Sequence, residues 1–186
     1  MTQRKAAKVH VAQLTPAANN KPEIVKVDDS TRLIQIRALV EANNKSTLST
    51  DLIICQIYME SRFDARAGAT QDAHGLMQMQ RKGVQQVFKY RKQKLLGHMP
   101  SDAQTKAAFA EGATLHASDS IYDEATNIGL GTEYMQYWAD TSPSVAAAYA
   151  RYRGVANGIY YKKISACAER LQADPTSMKI LREMVK

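Results

Sequence analysis

Cysteine is nearly missing from this chain, with Cys55 and Cys167 the two examples in 186 residues. Neither has a Cys-x-x-Cys partner, so the thiols supply no metal-ligand set and no disulfide framework. Cys55 lies inside an apolar run and reads as a small core residue; a bridge from Cys55 to Cys167 stays open as the alternative. His10, His74, His98 and His116 show no ligand spacing, so no metal and no cofactor are expected. Long hydrophobic runs are absent too. None reaches the roughly 18 apolar residues of a membrane span, so no span is expected. With 9 Gly, 5 Pro and 45% hydrophobic residues the chain is neither fibrous nor low in complexity. No period of roughly 20 to 50 residues marks it as a repeat protein.

Acidic residues are missing from Arg81 to Lys94, a stretch with six Lys or Arg in a chain of formal net charge +7. Val84, Val87 and Phe88 interrupt these cations at helical spacing. The stretch therefore reads as an amphipathic helix with a basic outer face, and nucleic-acid binding is not expected. Such a face would raise the encounter rate with an acidic polymer.

At 186 residues the chain is long enough for one domain that hides roughly 70% of its unfolded surface. Residues 1–30 mix Lys, Asn, Pro and Asp without periodicity and read as a flexible N-terminal arm; residues 31–186 form the domain. From Thr31, residues Leu33, Ile34, Ile36, Leu39 and Val40 give one helix an apolar face. Lys45 to Ser49 reads as a loop and Thr50 as the N-cap of a second helix. Helices resume near Lys82 and stop before Gly97. Ser101-x-x-Gln104 is a capping box opening an Ala-rich helix through about Ser118. Another helix is expected from about Asp123 to Ala139. Thr141 or Ser142 followed by Pro143 announces the next helix, and Asp174-Pro175 the terminal one, since a first helical turn does not use the missing donor.

Glu60 stands where a carboxylate is unexpected. In Asp51-Leu-Ile-Ile-Cys-Gln-Ile-Tyr-Met-Glu60, the residues Ile53, Ile57 and Glu60 fall at i, i+4 and i+7, so a helix aims the acid along its own apolar stripe. Burial favours the neutral carboxyl, and a carboxyl kept neutral near pH 7 is a general acid. Beyond it lie Ser61, Asp64 and Asp72, then Gly75-Leu76-Met77-Gln78. Gly75 admits a positive φ and a close approach, and Gln78 offers both donors and an acceptor. Leu76 and Met77 read as wall.

A Glu-Ser pair closing an apolar helix, an irregular loop and then Gly-Leu-Met-Gln resembles the signature of soluble lytic transglycosylases and goose-type lysozymes. Asn127-Ile128-x-x-Gly131-x-x-Tyr134 resembles that family's helical segment, and Ala147-Ala148-Tyr149 resembles its Ala-Tyr-Asn motif. The resemblance spans Asp51 to about Gly154. It implies a mainly α, lysozyme-like fold with an irregular or short-stranded active-site loop. It implies Glu60 as the catalytic acid and base, with Ser61, Gly75, Leu76, Met77, Gln78, Asn127, Tyr134 and Tyr149 around the substrate. Tyr149 corresponds to the family tyrosine that approaches the catalytic carboxyl. The chain departs from the pattern at Ala150, which replaces Asn, and at Arg151-Tyr-Arg-Gly154, which replaces a Gly-Pro-Gly-like turn. The further carboxylate of goose-type lysozymes is replaced here by Gln80.

The implied activity is cleavage of the β-1,4 bond between N-acetylmuramic acid and N-acetylglucosamine in peptidoglycan. Ordinary hydrolysis needs two carboxylates, and Asp64 and Asp72 are the candidates for the second. Lytic transglycosylation needs Glu60 alone. His74 beside Gly75, and the stripe Tyr134, Tyr137 and Trp138, are further candidates for sugar contact. The alternative classes are a weakened peptidoglycan-binding module, suggested by Ala150, and a phage or secretion-machine subunit. Met1 to Val11 is basic and offers no hydrophobic export core. The expectation is a protein made without a Sec signal and acting in the periplasm or cell wall of a target cell. It resembles a type VI secretion effector, which implies a cognate immunity protein plugging the cleft.

Overall fold

The structure, a computed structural model, describes residues 30–156 and 158–186. Its elements in chain order are α1 (Ser30–Asn43), α2 (Thr50–Ser61), β1 (Ala73–His74), β2 (Met79–Gln80), α3 (Arg81–Leu96) and α4 (Asp102–His116). A 3-10 turn (Asp119–Tyr122) follows, then α5 (Glu124–Thr141), α6 (Val145–Arg153), α7 (Ile159–Ala173) and α8 (Met178–Met184). The architecture is the expected mainly helical, lysozyme-like one, and the active-site loop carries one short antiparallel hairpin with Ala73 opposite Gln80 and His74 opposite Met79. The arm assigned to residues 1–30 lies outside the described residues except for Ser30, which opens α1. No helix among the described residues is long and apolar enough to cross a membrane.

Helix α2 is the central element. Six consecutive residues from Ile53 to Tyr58 are buried, so it is covered on all sides rather than along one stripe. Its N-cap is Ser49, whose Oγ accepts from Leu52 N at 3.3 Å; Thr50 is the first helical residue instead of the cap. A disulfide joins Cys55 to Cys167 of α7 across a Cα separation of 6.3 Å. The core-thiol reading of Cys55 therefore holds for its burial, while the thiol itself is bonded.

Other starts and stops follow local chemistry. Gly97 ends α3 in the left-handed region at φ 73°, and the Ser101–Gln104 capping box is complete in both directions. The Ala-rich helix stops at His116, and Asp123 caps α5 through Thr126 N at 2.8 Å. Pro143 and Pro175 precede their helices by more than one position, because Ser144 and Ser177 flank the true starts. Arg32 in α1 pairs with Glu124 at the start of α5 and donates to the Phe63 carbonyl at 2.9 Å. That clamp ties α1 and α5 to the turn leaving α2.

Candidate active site

Glu60 occupies the last turn of α2, and the backbone turns sharply behind it. Arg62 and Phe63 sit at φ 56° and 67°, a left-handed conformation that non-glycine residues adopt at a cost of order 1–3 kcal/mol each. Arg62 compensates by donating from its guanidinium to the carbonyls of Tyr58 and Met59 at the helix end, the first of which also accepts from the Arg62 backbone N–H. Such strain is retained where it aims a neighbouring group. Here it stops the helix so that Glu60 opens onto a cleft of about 470 Å³.

The chain around the hairpin brings Gln71, Gln78 and Gln80 to this cleft; Tyr134 comes from α5 and Tyr152 from α6. Lys82, Arg151 and Arg153 complete the polar lining, and Glu60 is the one carboxyl among the described lining residues. Burial is the largest influence on Glu60 and pushes its pKa above the ordinary carboxylate range. A hydrogen bond from the Tyr160 hydroxyl to Oε1, and the charges of Arg153 and Arg62, pull the other way without cancelling it. The Tyr160 hydroxyl is itself held protonated by burial and by the neighbouring Glu60 charge. The hydrogen bond therefore fixes the orientation of a carboxyl whose neutral form burial favours.

The expected site residues divide into two groups. Glu60, Gln78 and Tyr134 line the cleft. Gln78 is held at φ 48° by its own side chain, whose Nε2 donates to the Gly75 carbonyl at 2.9 Å. The others lie behind the surface. Ser61 is buried and donates back to the Ile57 carbonyl at 3.1 Å. Leu76 and Met77 are fully buried core. Gly75 does take the left-handed backbone, at φ 75°, but the space beside it belongs to Asn127, whose Nδ2 lies 2.4 Å from where a Cβ would stand.

Asn127 is fully buried and acts on the protein itself. Its Oδ1 accepts from Met77 N at 2.8 Å, and its Nδ2 donates to the carbonyls of His74 and Ile121. It holds the Gly75–Gln78 turn and does not reach the cleft lining. Tyr149, expected near the catalytic carboxyl, is fully buried against Tyr160 and Tyr161. Tyr160 makes the contact to Glu60 in its place.

Asp64 and Asp72 are exposed and do not line the cleft. Asp64 accepts from Arg66 N at 2.9 Å, and the Asp72 carbonyl faces His116 Nε2 at 2.9 Å. Gln80 presents an amide to the cleft at the position where goose-type lysozymes carry a carboxylate. His74 is stacked between His116 and Tyr122 and is also absent from the lining. The aromatic stripe splits, with Tyr134 in the cleft and Tyr137 beside Tyr90 and Asp140 in a separate depression.

Sequence reasoning did not single out Tyr160, Tyr152, Arg153 or Lys82 as site residues. Arg151-Tyr152-Arg153 was visible as a departure from the motif, and its position at the cleft could have been asked of it. Tyr160 gave no local signal, being 100 residues from its partner.

A mainly helical domain with a small hairpin beside a polar cleft has the architecture of the lysozyme-like class. The family model described as the Transglycosylase SLT domain matches residues 37–159, about two thirds of the sequence, and the chain belongs to that family. Its members are lytic transglycosylases acting on peptidoglycan, so the chain is an enzyme of that type. Curated proteins and solved structures gave no match.

Proposed function

We propose that Glu60 alone carries the catalysis, cleaving the β-1,4 bond between N-acetylmuramic acid and N-acetylglucosamine with formation of a 1,6-anhydro end. The observation that supports this most is that the cleft lining among the described residues holds one carboxyl, shifted by burial toward its neutral form. A neutral Glu60 gives its proton to the bridging oxygen as the bond to C1 breaks. The substrate's acetamido oxygen closes onto C1, replacing the nucleophile that a second carboxylate supplies in other glycosidases. The resulting Glu60 carboxylate, with Tyr160 donating to it and Arg153 near, then takes the proton of the 6-hydroxyl as O6 displaces the acetamido oxygen. Glu60 ends protonated again, so the cycle closes without an added base.

Glu60→Gln keeps the shape and removes the proton. Release of soluble fragments from purified sacculi is expected to fall by about 10²–10⁴-fold. Product masses should be one water lighter than hydrolytic ends. Wild-type turnover by the Gln variant would end the assignment, and reducing-end products would replace transglycosylation by hydrolysis. A protein that pellets with sacculi without clearing them would be a binding module.

The Cys55–Cys167 disulfide supports action in an oxidising compartment, the periplasm or cell wall, where such bonds persist. Within the same proposal, delivery is by a specialised secretion machine and a cognate immunity protein fills the cleft. Protection of a target cell by a co-expressed partner that competes with glycan strands would support that role. Normal secretion in a strain without such a machine would remove it.

A further inference from the structure

Lys82, Arg151 and Arg153 line the cleft alongside Glu60, giving it a formal charge of +2 with the acid ionised and +3 with it neutral. Elsewhere in the domain five arginines are matched by carboxylates: Arg32 by Glu124, Arg37 by Asp51, Arg66 by Asp119, Arg91 by Glu133 and Arg170 by Glu183, while Arg62 is bonded to carbonyls at the end of α2. The three cleft cations have no ion pair among the described residues. Two are nevertheless placed by other contacts. Arg151 donates to the Thr141 carbonyl at 2.9 Å and lies over the Trp138 ring, and Arg153 lies over the Tyr160 ring at 5.7 Å from its centroid. A guanidinium stacked on a ring keeps its N–H edge for a planar acceptor.

Helix electrostatics explain only part of this. Arg151 and Arg153 are in the last turn of α6, where the macrodipole favours cations. Lys82 is in the first turn of α3, where it disfavours them, and that turn has no acid to compensate. A cation is also a poor neighbour for a general acid, because the charge of Arg153 works against the burial that keeps Glu60 neutral. Both costs are relieved when an anion enters the cleft.

Building on the reading of Glu60 as the glycan-cleaving acid, we propose that Lys82, Arg151 and Arg153 form a carboxylate-binding subsite that selects glycan strands carrying acidic substituents beside the cleaved bond. The carboxylate is that of an attached peptide or, where the muramic acid carries no peptide, that of the lactyl group, which a peptide otherwise holds as an amide. Seated on Arg153, it offsets that residue's field at Glu60. Acidic strands are thus both bound more tightly and presented to a more fully protonated acid.

The test measures equilibrium binding and steady-state turnover on three soluble strand preparations: native strands, strands with carboxylates capped as neutral amides, and strands stripped of peptide by an amidase. Binding is read in the Glu60→Gln background, so it stands whether or not the wild type turns over; loss of all turnover would count against the glycosidase reading alone. Lys82→Gln and Arg153→Gln should each weaken binding of native strands by about five- to tenfold. Lys82→Gln should raise KM with kcat little changed, and Lys82→Arg should restore it. On capped strands the variants and parent should bind alike. Stripping frees the lactyl carboxylate that the peptide had held as an amide, so variant losses confined to native strands assign the peptide carboxylate, and losses larger on stripped strands assign the lactyl one. Equal binding of native and capped strands by the parent, or equal losses on both in the variants, would overturn the subsite.

Discussion

At the scale of single residues, the proposed chemistry depends on the balance that Glu60 strikes between burial and its polar neighbours. Burial favours the neutral acid, while Tyr160, Arg153 and Arg62 favour the ion. Removing one of the latter therefore shifts the balance further toward the proton. In Tyr160→Phe the hydroxyl that donates to Oε1 is gone, so the Glu60 pKa rises further. In the proposed mechanism kcat/KM requires the protonated acid in the free enzyme, so activity falls as pH rises through that pKa. The alkaline limb of the kcat/KM profile should thus move to higher pH in the variant. Its plateau should drop by about tenfold, because the carboxyl is no longer held in one orientation. An unmoved limb with a lower plateau would assign Tyr160 a packing role only. The burial of Glu60 was legible from the apolar run that leads into it. Tyr160 was not, because a contact made by folding two distant helices together leaves no spacing to read.

Among the elements, the family motifs prove to describe a joint more than a binding surface. Asn127 and Gly131 of α5 receive the turn between β1 and β2: Asn127 bonds to its backbone, and a Cβ at Gly131 would stand 2.3 Å from Met77 Sδ and 2.7 Å from Met77 Cβ. Gly75 answers from the other side by leaving room for the Asn127 amide. The motif spacing was readable because the joint is local to three short segments. The spacing does not fix the roles, because a polar side chain in a motif is equally suited to a sugar hydroxyl and to a buried backbone group. Asn127→Ala separates the two. It strands the Met77 N–H and two carbonyls in the interior, which should cost about 3 kcal/mol and lower Tm by about 6–12 °C. A sugar-contacting Asn would instead raise KM at unchanged Tm. Thermal unfolding beside a KM measurement decides between them.

Taken as a whole, the molecule is fastened at a point that neither periodicity nor motif foretold. Every helix but α7 was announced by apolar spacing, caps or prolines, and with the motif resemblance the mainly α, lysozyme-like class was within reach of the sequence. How α7 packs was not, since long-range pairing depends on shape complementarity that hydrophobic pattern alone does not encode. Yet α7 begins at Ile159, where the family match ends, and it contributes both Tyr160 and Cys167. The disulfide joins the helix that carries the acid to the helix that orients it, closing a sequence separation of 112 residues. Cross-linking so long a loop restricts the unfolded chain, which by the chain-entropy estimate stabilises the fold by about 4–5 kcal/mol. The paired substitution Cys55→Ser with Cys167→Ser should therefore lower Tm by about 10 °C or more. Below that temperature the Glu60–Tyr160 contact is still held by the packing of α2 against α7, so kcat at low temperature should stay within about threefold of the parent. A large fall in kcat with little change in Tm would show instead that the bond acts on the site directly, by holding the two helices in the register that Glu60 requires.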